Sequence, residues 1–156
     1  MARRSRADVR KVIPDPIYGE VLIEQITNKI LMGGKKTLAR NTVYEALKII
    51  EKKTKEEPVG VLKKAVKNVR PSLEVKPRRV GGATYQVPIE VPKKRSTTLA
   101  VRWIVDYARD RRKTTFANAL ADEIMDASKV AGNSIKKKQD IHKMAEANRA
   151  FAHYRW

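Results

Sequence analysis

The fold is decided by residues 72–91, SLEVKPRRVGGATYQVPIEV. Apolar and polar residues alternate in this stretch on both sides of Gly81 and Gly82, which is the period of a half-buried β-strand. A glycine pair between two such runs is typical of a tight hairpin turn. Pro77 and Pro88 lack a backbone donor, so both strands should be edge strands. The stretch therefore predicts a two-stranded antiparallel hairpin that protrudes from the domain or leans on helices.

Apolar residues recur at helical spacing on both sides of this hairpin. Three helices are predicted before it, over about residues 20–32, 36–53 and 58–69. Three more are predicted after it: one over about 97–111, one from the Thr115 cap to the Gly132 stop, and a long C-terminal helix over 134–152. The expected fold is mainly α: a single six-helix domain with a protruding two-stranded antiparallel β-hairpin between the third and fourth helices.

The first 19 residues differ from the rest of the chain because they combine basic side chains with little apolar periodicity. Pro14 and Pro16 disfavour a helix over the residues before them. We therefore expect an extended, basic N-terminal arm over residues 1–19. The helical domain should then occupy residues 20–156, with the hairpin at 72–91.

The net charge limits the class of partner. The chain has 35 Lys and Arg against 17 Asp and Glu in 156 residues, a formal charge of +18. So much positive charge favours an anionic partner, most simply nucleic acid, with an anionic membrane surface as the alternative. No run of about 18 apolar residues exists and the first residues are charged, so we expect neither a membrane span nor a secretory signal. The lack of cysteine fits a reducing, cytoplasmic setting.

The residues that could suggest an enzyme do not form a catalytic set. The run GGKKT at 33–37 lacks the preceding strand and the earlier glycine of a phosphate-binding nucleotide loop, although its amides and lysines could seat one phosphate. His142 and His153 are eleven residues apart with no further metal ligand nearby. Asp122, Glu123 and Asp126 form the one local acidic cluster, which is better explained as a solvated face. We expect no catalytic residue, no metal and no cofactor.

Basic residues cluster where the predicted fold is exposed: in the arm, beside the hairpin turn, and along the fourth and sixth helices. Arg102 and Arg109 are seven residues apart and should share one side of the fourth helix. Without a zinc site, a heptad or a clear helix-turn-helix, this pattern favours binding to the shape and backbone of folded RNA. An architectural DNA-binding protein with an intercalating β-ribbon remains the alternative.

Several sequence runs resemble one known family. They are NVRPSLEVKPRRVGGATYQVP at 68–88, DPIYG at 15–19, NKILMGGKK at 28–36, LAVRW at 99–103 and AFAHYRW at 150–156. Together they resemble the universal family of small-subunit ribosomal protein seven, in its bacterial form, over the whole chain in order.

The resemblance implies a structural constituent of the small ribosomal subunit, located in the cytoplasm on the ribosome. Such a protein binds the 3′ major domain of 16S ribosomal RNA as a primary binder and nucleates assembly of the subunit head. The residues implied in ribosomal RNA binding are Arg3, Arg4, Arg6, Arg10, Lys11, Lys35, Lys36, Lys76, Lys94, Arg95, Arg102, Arg109, Arg111, Arg112 and Lys113.

The resemblance also implies a second surface, which faces exit-site tRNA and the messenger path. It consists of the hairpin tip and the C-terminal region: Arg78, Arg79, Gly81, Gly82, Tyr85, Lys143, Arg149 and Arg155. The implied neighbours are proteins nine, eleven, thirteen and nineteen of the same subunit, with eleven expected near the hairpin and C-terminus.

Overall fold

The computed structural model describes residues 11–112 and 115–154. In this part of the chain there are six α-helices, one two-stranded sheet and a C-terminal 3-10 helix. In chain order they are α1 (Val21–Ile30), α2 (Lys36–Thr54), α3 (Pro58–Val69), β1 (Leu73–Val80), β2 (Ala83–Glu90), α4 (Lys93–Asp110), α5 (Phe116–Ser128), α6 (Asn133–Ala147) and the 3-10 helix (Arg149–Tyr154). The predicted class, a mainly helical domain with a hairpin between the third and fourth helices, is confirmed.

Helix α5 lies at the centre of the core, where it packs against α2, α3 and α4. Its alanines allow close helix approach, and the side chains of Leu120 and Ile124 are almost completely buried. Each such side chain contributes about 1.5–3 kcal/mol when it is removed from water. The Thr115 hydroxyl accepts from the Asn118 backbone N–H and caps the helix, as its sequence position predicts. This packed core fixes the relative positions of the helices that carry the basic side chains.

The hairpin turns at Gly81 and Gly82, as the sequence predicts. Strands β1 and β2 pair from Leu73 opposite Glu90 to Val80 opposite Ala83. Gly81 and Gly82 have φ values of 56° and 90°, so both occupy the left-handed region that a two-residue turn of this kind requires. No other atom lies within 4 Å of a Cβ built on either glycine, so backbone conformation and not space explains the residue choice.

The base of the hairpin leans on helices. Val87 is buried, and the Arg95 Nε donates to both carboxylate oxygens of Glu74 at 2.9 and 2.8 Å. The Ser72 backbone N–H donates to Nε2 of His142 on α6 at 3.1 Å. The strands are therefore fastened at one end and exposed at the other.

Helix ends differ from the sequence prediction in several places. Helix α4 begins at Lys93 and not near residue 97, because its first turn carries no large apolar residue that periodicity could detect. Its Thr97 and Thr98 hydroxyls donate to the carbonyls of Lys93 and Lys94 in that first turn. Helices α1 and α5 end a few residues before their glycine signals.

The single long helix predicted over 134–152 is wrong. Helix α6 ends at Ala147, where the Asn148 side chain donates to the Met144 carbonyl at 2.8 Å. The following 3-10 helix turns toward the hairpin, and its Phe151 and Tyr154 rings lie 4.9 and 5.4 Å from the Tyr85 ring. Aromatic packing between the hairpin and the C-terminal segment explains this change of direction. The apolar periodicity of one helix carries no information about such a contact.

The end of the predicted arm is also structured. Asp15 is buried, accepts from the backbone N–H groups of Ile17 and Tyr18 at 3.0 Å each, and accepts from the Tyr44 hydroxyl at 2.7 Å. Burial would raise the pKa of the Asp15 carboxyl, but these hydrogen bonds and the Arg40 guanidinium lower it below its usual value. Residues 15–19 are thus a turn fixed to α2, while residues 1–10 lie outside the described range.

Candidate nucleic-acid interface

Many acidic side chains in the described structure are already paired within the protein. Lys53 on α2 contacts Asp122 on α5 at 2.8 Å, Lys29 on α1 contacts Asp106 on α4 at 3.7 Å, and Lys63 pairs with Glu20. These pairs cross between elements, so they neutralise acids within the frame. The basic side chains that have no acidic partner account for the excess of positive charge.

Four of the predicted RNA-binding cations are exposed and pair with no acid in the described part of the chain. Lys35 lies in the loop between α1 and α2, Lys94 and Arg102 lie on α4, and Arg112 follows it. Lys11, at the start of the described range, is likewise exposed. Such side chains can neutralise phosphates without first breaking an ion pair.

A second group of predicted cations has partners inside the protein. Lys36 pairs with the buried Glu24 at the start of α2, Arg95 and Lys76 with Glu74. The guanidinium of Arg109 donates to the carbonyl of Ile30 at 3.1 Å and supports the end of α1. These residues are exposed enough to reach a ligand, but Lys36, Arg95 and Arg109 also fasten one element to another, while Lys76 pairs within β1.

Arg111 is the most deeply engaged of the predicted cations. Its guanidinium donates to Glu123 and Asp126, both at 2.5 Å. Burial would lower its pKa, but the hydrogen bonds with these two carboxylates raise it. Glu123 is fully buried and also accepts from the Ser134 backbone N–H and hydroxyl at 3.0 and 2.6 Å. Arg111 therefore stabilises the junction of α4, α5 and α6.

The loop between α1 and α2 has the exposed geometry that the sequence predicts. Gly33 and Gly34 have φ values of 57° and 75°, and Lys35 precedes a helix whose first turn has no side-chain cap. The backbone N–H groups of Lys35 and Lys36 already donate to the carbonyls of Met32 and Gly34, so the following amides of this turn and the Lys35 ammonium are the groups that could meet an anion. Lys36 turns back to Glu24 and is less available.

A groove of about 500 Å³ lies between α1 and α4. Its cationic lining residues are Lys29, Arg70, Lys94 and Arg102. Trp103 lines a different cavity, beneath the hairpin, so Arg102 and Trp103 face different sides of α4 as the sequence predicts. This groove is therefore a concave surface lined by four basic side chains.

The predicted tRNA-facing residues that the structure describes lie on the hairpin, on α6 and on the 3-10 helix, which contact one another. Arg78, Arg79, Gly81 and Gly82 are exposed at the hairpin tip, and Tyr85 stands opposite Arg78. On the C-terminal side, Lys143 and Arg149 are exposed. The Tyr85 contacts with Phe151 and Tyr154 join the two regions into one surface.

Six predicted residues lie outside the described ranges: Arg3, Arg4, Arg6, Arg10, Lys113 and Arg155. Their assignment to RNA or tRNA stays a prediction.

The acidic cluster and the histidines have structural partners. Asp122 contacts Lys53, while Glu123 and Asp126 hold Arg111. His142 accepts from the Ser72 backbone, and His153 contacts the Ala150 carbonyl through Nδ1 at 2.9 Å. Across residues 11–112 and 115–154 no group of three or more His, Cys, Asp or Glu side chains is arranged to hold a metal ion. Within the same ranges no helix has the length and apolar character needed to cross a membrane.

The predicted RNA-binding residues do not include Gln25, Asn28, Lys29 or Arg70, which line the α1–α4 groove. Gln25 and Asn28 are three residues apart on α1, and Arg70 follows α3. The signal for the first two was their spacing of three residues, which puts both amides on the side of α1 away from the buried Ile23, Ile26 and Ile30. Arg70 carried no such signal, because its position in the groove depends on the packing of α3 against α4.

The chain matches the profile of the ribosomal protein S7p/S5e family over residues 2–149. It is similar to proteins named small ribosomal subunit protein uS7 from several bacteria. The relative from Bifidobacterium longum subsp. infantis is 56% identical over 156 residues, which is 100% of both chains. The relative from Thermotoga petrophila is 58% identical over 154 residues, 99% of each chain, and that from Rubrobacter xylanophilus is 54% identical over 156 residues.

Proposed function

Because the chain belongs to the ribosomal protein S7p/S5e family, we propose that it is a cytoplasmic constituent of the small ribosomal subunit and binds ribosomal RNA there. Its named relatives are ribosomal proteins and not enzymes, which agrees with the absence of a catalytic set in the sequence. The RNA proposed is the 3′ major domain of 16S ribosomal RNA.

The proposal rests on one observation: acidic side chains are paired within the protein, whereas several basic side chains are exposed and unpaired in the described structure. Ion pairs such as those of Glu24, Glu74 and Glu123 neutralise acids within the frame, whereas Lys35, Lys94, Arg102 and Arg112 are exposed and form no ion pair with a described residue. Acids held in this way do not repel phosphates. The unpaired cations gain affinity by releasing counterions from the RNA.

The mechanism is binding without chemistry. A rigid core holds cations at fixed separations, so the protein binds best to an RNA junction whose phosphates are already folded to match. Binding then shifts the RNA population toward that folded form. This is how we propose that the chain nucleates assembly of the subunit head.

The hairpin and C-terminal surface is proposed to contact exit-site tRNA and the messenger path. Its tip carries exposed Arg79 beside a turn without bulky side chains, and Tyr85 ties it to the 3-10 helix. Proteins nine, eleven, thirteen and nineteen of the subunit are the proposed neighbours. Protein eleven is the neighbour that we propose near the hairpin and C-terminus.

The hairpin turn lacks a feature that the competing DNA-binding function requires. Ribbons that intercalate use a large apolar wedge such as Phe, Leu, Ile, Met or Pro. The turn here, from Val80 through Gly81 and Gly82 to Ala83, contains none of these. A tip of this kind suits contact with a backbone better than insertion between base pairs.

Filter binding over a salt series tests the proposed function. The chain is titrated against a fragment of the 3′ major domain and against duplex DNA of equal charge. We expect preference for the RNA, with a log–log salt slope of roughly −5 to −7 if about six to eight phosphates are neutralised. Equal affinity for the two nucleic acids would refute the proposal.

A further inference from the structure

The α1–α4 groove has the size and walls of a site for a small ligand. Its volume of about 500 Å³ falls within the range of about 300–1,000 Å³ that ligand pockets occupy. Val21, Leu22 and Val101 form apolar walls. An apolar surface of this kind can hold the face of a planar group such as a base.

Two amides stand at this groove without partners. Gln25 and Asn28 lie three residues apart on α1 and therefore on the same side of the helix. Neither side chain forms a hydrogen bond with any other described residue. A carboxamide offers a donor and an acceptor side by side, which is the pattern that pairs with the edge of adenine.

The charges at the groove are all of one sign. Among residues 11–112 and 115–154 no acidic side chain lines it, whereas Lys94 and Arg102 are exposed there and form no ion pair with a described residue. The Nε of Arg70 is buried without a hydrogen-bond partner. The groove therefore complements an anion beside its apolar and amide-bearing walls.

We propose that the α1–α4 groove binds one unstacked nucleotide of the RNA. The base lies against Val21 and Val101 with its edge on Gln25 and Asn28, and its phosphate is held by Arg102 and Lys94. The ligand class is a single-stranded purine nucleotide, with adenine preferred. An acidic peptide would use the cations but would leave both amides and the apolar walls without a role.

This inference rests on the proposed RNA binding and adds base readout to it. The test uses the full-length chain with the double substitution Gln25→Ala/Asn28→Ala. The matched control is Asn41→Ala/Gln139→Ala, which removes two exposed amides from α2 and α6, outside the groove. Circular dichroism and urea unfolding of both variants verify that the fold is kept.

Affinity for the 3′ major domain fragment should fall about tenfold or more in the groove variant and stay unchanged in the control. The salt slope of the groove variant should equal that of the wild type, because no cation is removed. Affinity for duplex DNA should not change in either variant.

Base-removal interference identifies the nucleotide. In RNA with random abasic positions, one base loss should weaken wild-type binding and leave binding by the groove variant unaffected. Identical interference profiles for the two proteins, or equal RNA affinities of the groove and control variants, would overturn the inference while leaving the proposed function standing. Failure of the wild type to prefer the RNA fragment over duplex DNA would instead overturn the proposed function.

Discussion

At the scale of single residues, adjacent arginines have different tasks. Arg111 is held by the buried Glu123, while Arg112 is exposed and unpaired in the described structure. The sequence alone predicts that Arg111 and Arg112 are equivalent phosphate ligands, because a charge pattern does not show which guanidinium has an acid folded against it. The distinction arises from α5, which brings Glu123 and Asp126 to the end of α4.

The pair provides a prediction with its own control. Arg111→Ala should lower the free energy of unfolding by about 3 kcal/mol, because it leaves a buried carboxylate without its cation. Arg112→Ala should change stability by less than about 0.5 kcal/mol and should lower RNA affinity instead. Urea unfolding and filter binding measure the two effects. Equal stability losses in the two variants would contradict the separation of roles.

His142 should make stability depend on pH. Burial, with a smaller effect of the Lys138 ammonium, lowers the pKa of His142, and its Nε2 accepts from Ser72 only when the ring is neutral. Because the unfolded ring, with a pKa of about 6.5, takes up a proton first, folding stability should fall as pH decreases below about 7.

Urea unfolding at pH 7.5 and 5.5 measures this effect. The loss of stability on acidification should be smaller in His142→Gln than in the wild type, since glutamine keeps an acceptor without titrating. His153→Gln, in the exposed 3-10 helix, is the control and should behave as the wild type. A wild-type dependence retained in His142→Gln would show that another group is responsible.

At the scale of elements, the hairpin could be predicted almost completely and the C-terminal helix could not. The hairpin depends on local information: alternation, two edge prolines and a glycine pair. The ending of α6 at Ala147 depends on Phe151 and Tyr154 meeting Tyr85, which lies more than 60 residues earlier in the chain. The apolar spacing of α6 continues past Ala147, because Phe151 also falls on the same side of a helix, and it therefore predicts one long helix.

The hairpin turn provides a prediction at this scale. Gly82→Val places a β-branched residue at a φ of 90° and should destabilise the turn by about 1–2 kcal/mol. Amide hydrogen exchange of residues 78–85 should accelerate about tenfold, while the helical circular dichroism stays unchanged. Ala83→Val, at the first residue of β2, should leave the exchange rates nearly unchanged. Equal exchange in both variants would mean that the turn does not require glycine.

For the molecule as a whole, the sequence predicts the class of partner but not the groove in which we propose that a nucleotide binds. A formal charge of +18 requires an anionic partner, and the family resemblance specifies ribosomal RNA. The groove between α1 and α4 could not be predicted in full, because Arg70, Gln25 and Arg102 come from three different elements. Only the packing of α1 and α3 against α4 brings their side chains to one surface.

We propose that this charged frame recognises one folded region of small-subunit ribosomal RNA. Hydroxyl-radical footprinting of the full-length chain on intact 16S ribosomal RNA distinguishes such recognition from binding to charge alone. We predict a compact set of protected riboses within the 3′ major domain that persists as salt is raised. Protections scattered over all domains and lost together with increasing salt would contradict the claim, because they would show binding to charge without recognition of a fold.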